Sequence, residues 1–357
     1  MMTFAKRFGG GALLVALLGG CAAPTTTEKP ASYTFFPPPP DEPRVQYLTA
    51  FASDADLGHE GNFAEFITGE QRQVNPLIKP YGLAGHDGKI YVCDTVAGVI
   101  QIFDLQARRA SYFAPVGEGQ LRLPINVSVD EDGTIYVADT GRNQILIYSG
   151  GGGYQGAIGV MDEMRPTDVA VTADRLYVTD LKGHSVRVYS KADRKLLFTI
   201  PANPKAAGEK LFSPTNLAVD KQGGRLLVSD TGGFEVQVYD LDGKYLRTIG
   251  RQGTGPGMFA RPKGVAVDHD GLAYVVDAAT QVVQAFDPSG NLLLYFGSPG
   301  ASEHGELILP AAVKVDYDDV GYFQKYLAPG YQCEYLILVT SQFGGQKVSV
   351  YGFLKKM

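Results

Sequence analysis

Short apolar runs separated by turn residues dominate this chain, and residues 261–297 show the pattern most clearly. Four runs lie in this stretch, and they are followed by Asp268, Asp277, Asp287 and Gly297. Each run is too short for an ordinary helix and is bounded by glycine, proline or aspartate, which is typical of β-strands joined by tight turns. The stretch therefore predicts a unit of four antiparallel strands.

The same unit recurs along the chain and is marked by three kinds of residue. A proline opens the first run at Pro80, Pro124, Pro166, Pro214, Pro262 and Pro310. An aspartate follows the second run at Asp94, Asp139, Asp180, Asp230 and Asp277, with Thr340 in the sixth place, and an aromatic ends the third run at Phe103, Tyr148, Tyr189, Tyr239, Phe286 and Tyr351. A period of 40 to 50 residues with four strands per unit is typical of propeller blades. The sequence therefore predicts an all-β fold, a six-bladed β-propeller with four-stranded blades over residues 44–357.

The last unit lacks a fourth strand of its own, because the sequence ends shortly after its third run. Residues 45–52 align with residues 245–250, the fourth strand of the fourth unit. We therefore predict that this N-terminal segment completes the last blade and closes the ring, which leaves no open sheet edge where the two ends meet.

Two stretches resemble NHL repeats, namely Val137–Ile145 and residues 250–268, GRQGTGPGMFARPKGVAVD. The resemblance extends over roughly residues 80 to 353 on the criterion of the repeat period. It implies a six-bladed propeller. It also implies a range of uses, since similar propellers serve as protein or nucleic-acid binding platforms and a related minority are enzymes with a metal on the channel axis.

The N-terminus has the layout of a secretory signal over residues 1–20. Lys6 and Arg7 precede an apolar run that is too short to remain as a membrane span, and small residues follow it. The sequence Leu18-Gly19-Gly20-Cys21 resembles a bacterial lipobox, which implies lipidation of Cys21 and stable membrane anchoring. Ala22 resembles the sorting residue of outer-membrane lipoproteins. An ordinary signal peptide followed by a chance cysteine is the alternative.

Residues 21–43 are predicted to carry the lipidated cysteine and a proline-rich stalk. The stretch Pro37–Pro40 favours extended chain, and such chain makes a spacer between the membrane and the propeller. A ligand for the aromatic groove of a partner is the alternative. We expect the protein in the bacterial cell envelope, anchored to the outer membrane.

The up-and-down order of the strands sorts the connections onto two faces. The connections before each first strand and after each second strand share one face, here named the loop face; the others share the opposite, turn face. The long connections 53–79, 251–260 and 298–309 all belong to the loop face. Because binding sites usually lie on variable loops of a rigid scaffold, the loop face is predicted to bind a protein or envelope component.

One long insertion belongs to the turn face instead. It holds about fifteen residues, judged against the usual short turn, and carries Tyr317, Tyr322, Phe323, Tyr326 and Tyr331. These aromatics indicate either a partner contact or packing on the sheet beneath, since large exposed apolar patches are uncommon.

Charge and cysteine content narrow the choice of function. Removal of the signal lowers the 32 basic residues to 30 against 38 acidic ones, a formal net charge of −8. This sign disfavours nucleic acid as a partner. Cys93 and Cys333 lie out of register for a disulfide, so two buried free thiols are predicted. The sequence holds no CxxC or HExxH motif, so it signals no zinc site.

The recurring polar residues have a structural interpretation. An aspartate at one position of nearly every unit indicates a turn requirement, because its carboxylate accepts hydrogen bonds from the loop amides that follow. The histidines do not recur at one channel position, which disfavours a three-histidine metal centre. They are His59, His86, His184, His269 and His304.

A polar constellation lies two residues after the prolines of consecutive units 2, 3 and 4. Asn126, Asp168 and Asn216 are predicted to converge at the mouth of the channel, where their oxygen atoms suit Ca²⁺ as in calcium-dependent lactonase-type propellers, which they resemble. Lys263 follows its blade proline nearby and argues against a highly charged metal. A polar channel lining wetted by water is the alternative.

Two hypotheses of function follow. The first is a lipid-anchored scaffold without catalysis that docks a partner on the loop face, and the regularity of the repeats favours it. The second is a calcium-dependent hydrolase or lyase at the channel mouth. The fold alone decides neither.

Overall fold

The computed structural model describes residues 33–58, 75–160, 162–202 and 210–356. The predicted signal peptide, the predicted lipidation site Cys21 and most of the connection 53–79 lie outside these residues. Within the described part of the chain, no helix is both long enough and apolar enough to span a membrane.

Five of the six predicted units form four-stranded antiparallel sheets in sequence order. Blade 1 comprises β3 (Pro80–His86), β4 (Lys89–Asp94), β5 (Val99–Asp104) and β6 (Arg109–Phe113); blade 2 comprises β7 (Pro124–Val129), β8 (Ile135–Asp139), β9 (Gln144–Tyr148) and β10 (Tyr154–Ile158). Blade 3 comprises β11 (Pro166–Val171), β12 (Arg175–Asp180), β13 (Ser185–Ser190) and β14 (Leu196–Ile200). Blade 4 comprises β15 (Pro214–Asp220), β16 (Arg225–Asp230), β17 (Glu235–Asp240) and β18 (Tyr245–Ile249), and blade 5 comprises β19 (Pro262–Val267), β20 (Ala273–Asp277), β21 (Val282–Phe286) and β22 (Leu292–Phe296).

Blade 6 joins the two ends of the described chain. It contains β25 (Pro310–Asp316), β26 (Tyr331–Ser341) and β27 (Val348–Lys356), and its outer strands are β2 (Val45–Phe51) and β1 (Thr34–Phe36). A short parallel pair, β23 (Ser298–Pro299) and β24 (Glu306–Leu307), precedes it. Along β2, Val45 pairs with Phe353 and Phe51 pairs with Val348. The ring is therefore closed by the N-terminal strand, and this prediction is confirmed.

Strand β1 extends the sheet of blade 6 to residues before the predicted start of the propeller at residue 44. In β1, Phe36 pairs with Val45, and its ring centroid lies 6.2 Å from those of Phe296 and Tyr351. The prolines that suggested a spacer follow this strand and form the hairpin to β2, so they do not interrupt it. Phe35 and Phe36 provide the apolar side chains of this outermost strand.

Burial falls from the inner strands to the outer ones. Every residue of β8 is buried, whereas Leu196 and Leu197 of β14 are each 49% exposed. Core clusters form where the faces of adjacent blades meet; the rings of Phe51 and Phe103, for example, lie 4.8 Å apart between blades 6 and 1. The hydrophobic effect therefore holds the blades to one another as well as each sheet together.

Each first strand begins with an irregular register beside its proline. In blades 3 and 4 the shift lies between Pro166 and Asp168 and between Pro214 and Asn216, the positions of the predicted constellation. Such bulges re-aim side chains and bend the strand. The inner strands also approach closely here, because a Cβ atom at Gly82 would lie 2.0 Å from Oδ1 of Asn126.

The aromatic insertion of the turn face packs against the propeller, as one of the two alternatives predicted. It contains a short helix α1 (Val320–Phe323), and Phe323 is only 1% exposed. The hydroxyl of Tyr322 donates to the carbonyl of Leu57 at 2.9 Å, and the ring of Tyr317 stacks on His269 with a centroid distance of 3.8 Å.

The two cysteines of the described chain are free thiols. Cys93 is fully buried, as predicted, but Cys333 is only half-buried, because it lies near the outer end of β26 rather than in its centre. Burial raises the pKa of both thiols. A reactive cysteine has an accessible thiol with a lowered pKa, and neither of these residues has one.

Candidate functional site

The recurring aspartates fasten the loop-face ends of the blades. The carboxylate of Asp277 accepts hydrogen bonds from the backbone amides of Ala260, Arg261, Ala279 and Thr280, at 2.7 to 3.3 Å. The same kind of bonds reach Asp94, Asp139, Asp180 and Asp230. Each aspartate thus joins the loop that enters its blade to the loop that leaves its second strand, which is the structural role predicted.

Threonine hydroxyls add links from blade to blade at the same level. Thr140, Thr231 and Thr340 donate to the backbone carbonyls of Pro166, Pro262 and Tyr81, each in the next blade, at 2.6 to 2.7 Å. The sequence analysis missed this role. The signal that reveals it is a threonine directly after the recurring aspartate, as in Asp139-Thr140 and Asp230-Thr231, or in its place, as at Thr340.

The three predicted polar residues line one channel cavity of about 200 Å³. Asn126, Asp168 and Asn216 are 5%, 6% and 2% exposed. The structure brings two of them into contact, since Nδ2 of Asn216 lies 3.4 Å from Oδ2 of Asp168. Asn126 instead accepts a hydrogen bond from the amide of Val127 at 3.1 Å and is not hydrogen-bonded to either of the other two. The three residues therefore share a cavity without forming one cluster.

Asp168 links blade 3 to blade 4. Its Oδ1 accepts from the amide of Val169 at 2.8 Å, and its Oδ2 accepts from the amide of Leu217 at 3.0 Å. Burial raises the pKa of this carboxyl to about 7, and these amide bonds oppose the rise. In the described part of the chain, Oδ1 of Asn216 is buried without a hydrogen-bond partner.

These contacts bear on whether Ca²⁺ fits. Calcium takes six to eight oxygen ligands, and both oxygens of the single carboxylate are engaged by backbone amides. Among the described residues, no group of three or more His, Cys, Asp or Glu side chains could hold a metal ion. The arrangement therefore suits a link between blades better than a metal cage.

Lys263 lies at the loop-face mouth of the channel and is half-buried. Burial, together with the charge of Arg261, lowers the pKa of its ammonium to about 8. Each blade proline starts a first strand at its loop-face end, so the residues on either side of the six prolines are here named the rim of this mouth: Lys79, Tyr81, Leu123, Ile125, Arg165, Thr167, Ser213, Thr215, Arg261, Lys263, Leu309 and Ala311. The rim holds four cations and no carboxylate.

The turn-face mouth has the opposite character. Glu131 and Lys221 form an ion pair of 2.8 Å across it, and acidic residues surround them. Burial and the neighbouring carboxylate of Asp316 raise the pKa of Asp319 to about 7. Lys314 lines the channel just above, and desolvation lowers the pKa of its ammonium.

Large apolar side chains are exposed on the loop face. Six of them lie in its connections and are 48% to 86% exposed: Ile78, Val96, Val116, Val160, Phe212 and Phe343. The other exposed large apolar residues of the described chain lie on outer strands or at Tyr33, and none lies in a connection of the turn face. The loop face is thus the apolar face of the propeller.

Comparison with known sequences finds propeller repeats in two places. A family described as a six-bladed β-propeller, DUF5128, matches residues 209–295, which span blades 4 and 5. The NHL repeat family matches residues 121–148, which hold the first three strands of blade 2.

The curated relatives match only part of the chain. Protein brain tumor of Drosophila melanogaster is 30% identical over 146 residues, which cover 40% of this chain and 13% of that protein. NHL repeat-containing protein 3 of Mus musculus is 29% identical over 178 residues, which cover 45% of this chain and 51% of that protein. The chain thus spans about half or less of the length of these relatives.

Solved structures of similar fold include enzymes. A streptogramin B lyase superposes with a TM-score of 0.54 at 15% identity and covers 79% of this chain and 95% of its own. A gluconolactonase from Xanthomonas campestris superposes with a TM-score of 0.56 at 15% identity and covers 91% and 98%. Identities this low establish the fold alone. With the observed ring of blades, they show that this chain is a six-bladed β-propeller, in which blade 2 matches the NHL repeat.

Proposed function

We propose that this protein is a lipid-anchored binding scaffold of the bacterial cell envelope, and that its loop face docks a partner protein. The observation that carries the proposal is the confinement of exposed apolar side chains in connections to that one face. The concentration of these side chains on one face favours an interaction site there. The aspartate and threonine links beneath these loops hold their ends in place and provide a rigid platform.

Two lysines add to the character of a docking surface. Nζ of Lys210 lies 4.8 Å from the ring centroid of Phe212, and Nζ of Lys79 lies 5.5 Å from that of Phe343. Aromatic residues and cations are enriched in the energetically dominant parts of protein interfaces. The loop face therefore offers candidate anchors at two places around the channel mouth, at the entry to blade 4 and where blades 6 and 1 meet.

The alternative of a calcium-dependent hydrolase or lyase receives less support. Lyase and gluconolactonase propellers share the fold, but the oxygens of Asp168 are engaged by backbone amides and Asn126 stands apart from Asn216. A scaffold needs no reacting group, and the regular blades supply none that breaks the repeat. We therefore favour a binding function over a catalytic one.

Docking is tested by site-specific photo-crosslinking in cells. A photoreactive side chain at Phe212 should give one discrete protein adduct, because that position is one of the proposed anchors. The matched control is Leu196, which is exposed to almost the same extent, 49% against 48%, but lies on an outer strand. Equal adducts at both positions, or none at Phe212, would contradict the proposed docking face.

Anchoring is tested by substitution of the predicted lipidation site. Cys21→Ser removes the thiol that the lipid would modify, so the protein should leave the membrane fraction. Thr25→Ala, a few residues further on, keeps the cysteine and should remain bound. The measurement is fractionation after a high-salt wash. A Cys21→Ser protein that still sediments with the membranes would show that the anchor is not a lipid on this residue.

A further inference from the structure

Lys263 is a cation without a counter-charge. Its ammonium makes no hydrogen bond or ion pair in the described part of the chain, although the side chain is half-buried. Removing a charge from water without a partner costs free energy. The neighbouring Arg261 has the same sign and adds to this cost.

The strands beside Lys263 do not compensate for it. Strand β19 packs between β15 and β25, and the charged side chains of those two strands are Asp220, Lys314 and Asp316. All three lie in the halves of their strands nearer the turn face, whereas Lys263 lies at the loop-face end. At the loop-face end, Asp277 of the paired strand β20 and Asp230 of β16 accept hydrogen bonds from backbone amides. The carboxylate of Asp168 in the channel likewise accepts from the amides of its own blade and of the next.

The other cations of the rim have no carboxylate partner among the residues that the structure describes. Lys79, Arg165 and Arg261 each stand directly before a blade proline, in blades 1, 3 and 5, so they alternate around the mouth. The hydroxyl of Tyr81 also belongs to this rim, and the charges of Arg261 and Asp168 both act on it. The rim thus gathers positive charge and a hydroxyl donor around one opening.

The turn face shows that this chain can pair its cations. Basic side chains of this face form ion pairs, among them Arg175 with Asp242, Lys191 with Asp130, Lys221 with Glu131 and Arg225 with Asp220. On the loop face Arg187 pairs with Asp180, but the described residues contain no such pair for any rim cation. The rim cations are therefore available to negative charge on another molecule.

We propose that the rim binds an acidic segment of the protein docked on the loop face, and that Lys263 receives one of its carboxylates. This inference rests on the proposed docking function. Exposed apolar residues such as Ile78, Phe212 and Phe343 border the rim connections, so one partner can bury apolar groups outside and place a carboxylate at the centre. A half-buried ammonium is accessible to a flexible side chain but recessed from a flat bilayer, and the net negative charge of the chain opposes nucleic acid.

The experiment uses a fluorescently labelled hexaglutamate peptide as the probe, measured by anisotropy at low salt with the purified full chain. Wild-type protein should bind it, and Lys263→Met should weaken the binding at least tenfold. The control Lys221→Met removes a lysine at the other mouth and should change the dissociation constant by less than twofold. Because Lys263→Met removes an uncompensated charge, the variant should fold with an unchanged or higher melting temperature.

The pH profile provides a second readout that a merely structural lysine would not give. Lysine loses its charge as the pH rises above about 8 at this site, so wild-type binding should weaken there. Lys263→Arg keeps its charge at these pH values and should bind without that weakening. If Lys263→Met fails to fold, the pH dependence of peptide binding by Lys263→Arg still tests the proposal.

Several results would overturn the proposal. These are no binding of hexaglutamate at millimolar concentration, an equal loss in both lysine variants, or tighter Lys263-dependent binding of phosphatidylglycerol vesicles or a single-stranded DNA oligonucleotide. The scaffold function is judged separately by the crosslink at Phe212. If that crosslink persists while the peptide does not bind, only the acidic-segment proposal fails.

Discussion

A chain that begins at Ser53 should fail to yield a soluble monomer, whereas a chain that begins at Tyr33 should fold as a cooperative unit. The shorter chain lacks β1 and β2. Without β2, the whole of β27 becomes an unpaired sheet edge, and such an edge pairs readily with other chains. Size-exclusion chromatography and thermal unfolding distinguish the two outcomes.

The size of the effect follows from what β2 buries. Val45, Tyr47, Leu48 and Phe51 are 0%, 8%, 8% and 2% exposed, and their side chains belong to the core clusters on both faces of blade 6. Burial of one such side chain contributes about 1.5–3 kcal/mol. Four of them together are comparable with the entire stability of an ordinary domain, about 5–15 kcal/mol.

An intermediate chain that begins at Arg44 supplies the matched control. It loses β1 and the ring of Phe36 but keeps β2, so it should remain monomeric and melt a few degrees lower. The two truncations remove adjacent segments of similar length, and only one removes a strand that closes the ring. Aggregation of both shortened chains to the same extent would contradict the closing role of β2.

Replacement of one recurring aspartate should destabilise the propeller strongly. Asp277→Ala removes the acceptor for four backbone amides at a side chain that is 0% exposed. Each buried donor left without a partner costs about 1–3 kcal/mol, so a loss of about 3 kcal/mol or more in the free energy of unfolding is expected. Equilibrium unfolding in urea measures it.

The control is an aspartate with similar bonds and different burial. Asp287 accepts from the amides of Ser289 and Asn291 at 2.8 Å in an exposed hairpin turn of the same blade. Because water replaces its carboxylate there, Asp287→Ala should shift the unfolding midpoint only slightly. Equal losses in the two variants would show that burial of the amides does not set the cost.

The architecture was predictable because each blade repeats the same local requirements. A proline starts every first strand and an aspartate or Thr340 stands at the end of every second strand, as the sequence period predicts. These positions depend on turn chemistry and on contacts within one unit. The alignment of residues 45–52 with a fourth strand likewise rests on a local pattern, and the structure places it in blade 6.

Contacts between blades were less accessible to sequence reasoning. Asn126, Asp168 and Asn216 hold equivalent positions beside equivalent register shifts, yet only the last two are in contact. Asp168 has a second carboxylate oxygen that accepts from the amide of Leu217 in the next blade, whereas the second polar atom of Asn126 is an amide nitrogen, which cannot accept. Strand β1 (Thr34–Phe36) was not predicted, because the prolines that follow it indicate extended chain. The residues of the rim follow from the positions of the prolines in the sequence. That its cations have no ion-pair partner among the described residues follows only from where the acidic residues lie in the structure.

The opposite charges of the two channel mouths have a consequence for the kinetics of encounter. The rim is cationic, and acidic residues such as Glu131 and Asp316 lie at the other end of the channel, so the molecule has an electric dipole along the channel. A negatively charged protein that approaches in any orientation experiences a torque that turns the loop face toward it. Its association rate should therefore fall as salt rises, while the dissociation rate changes much less.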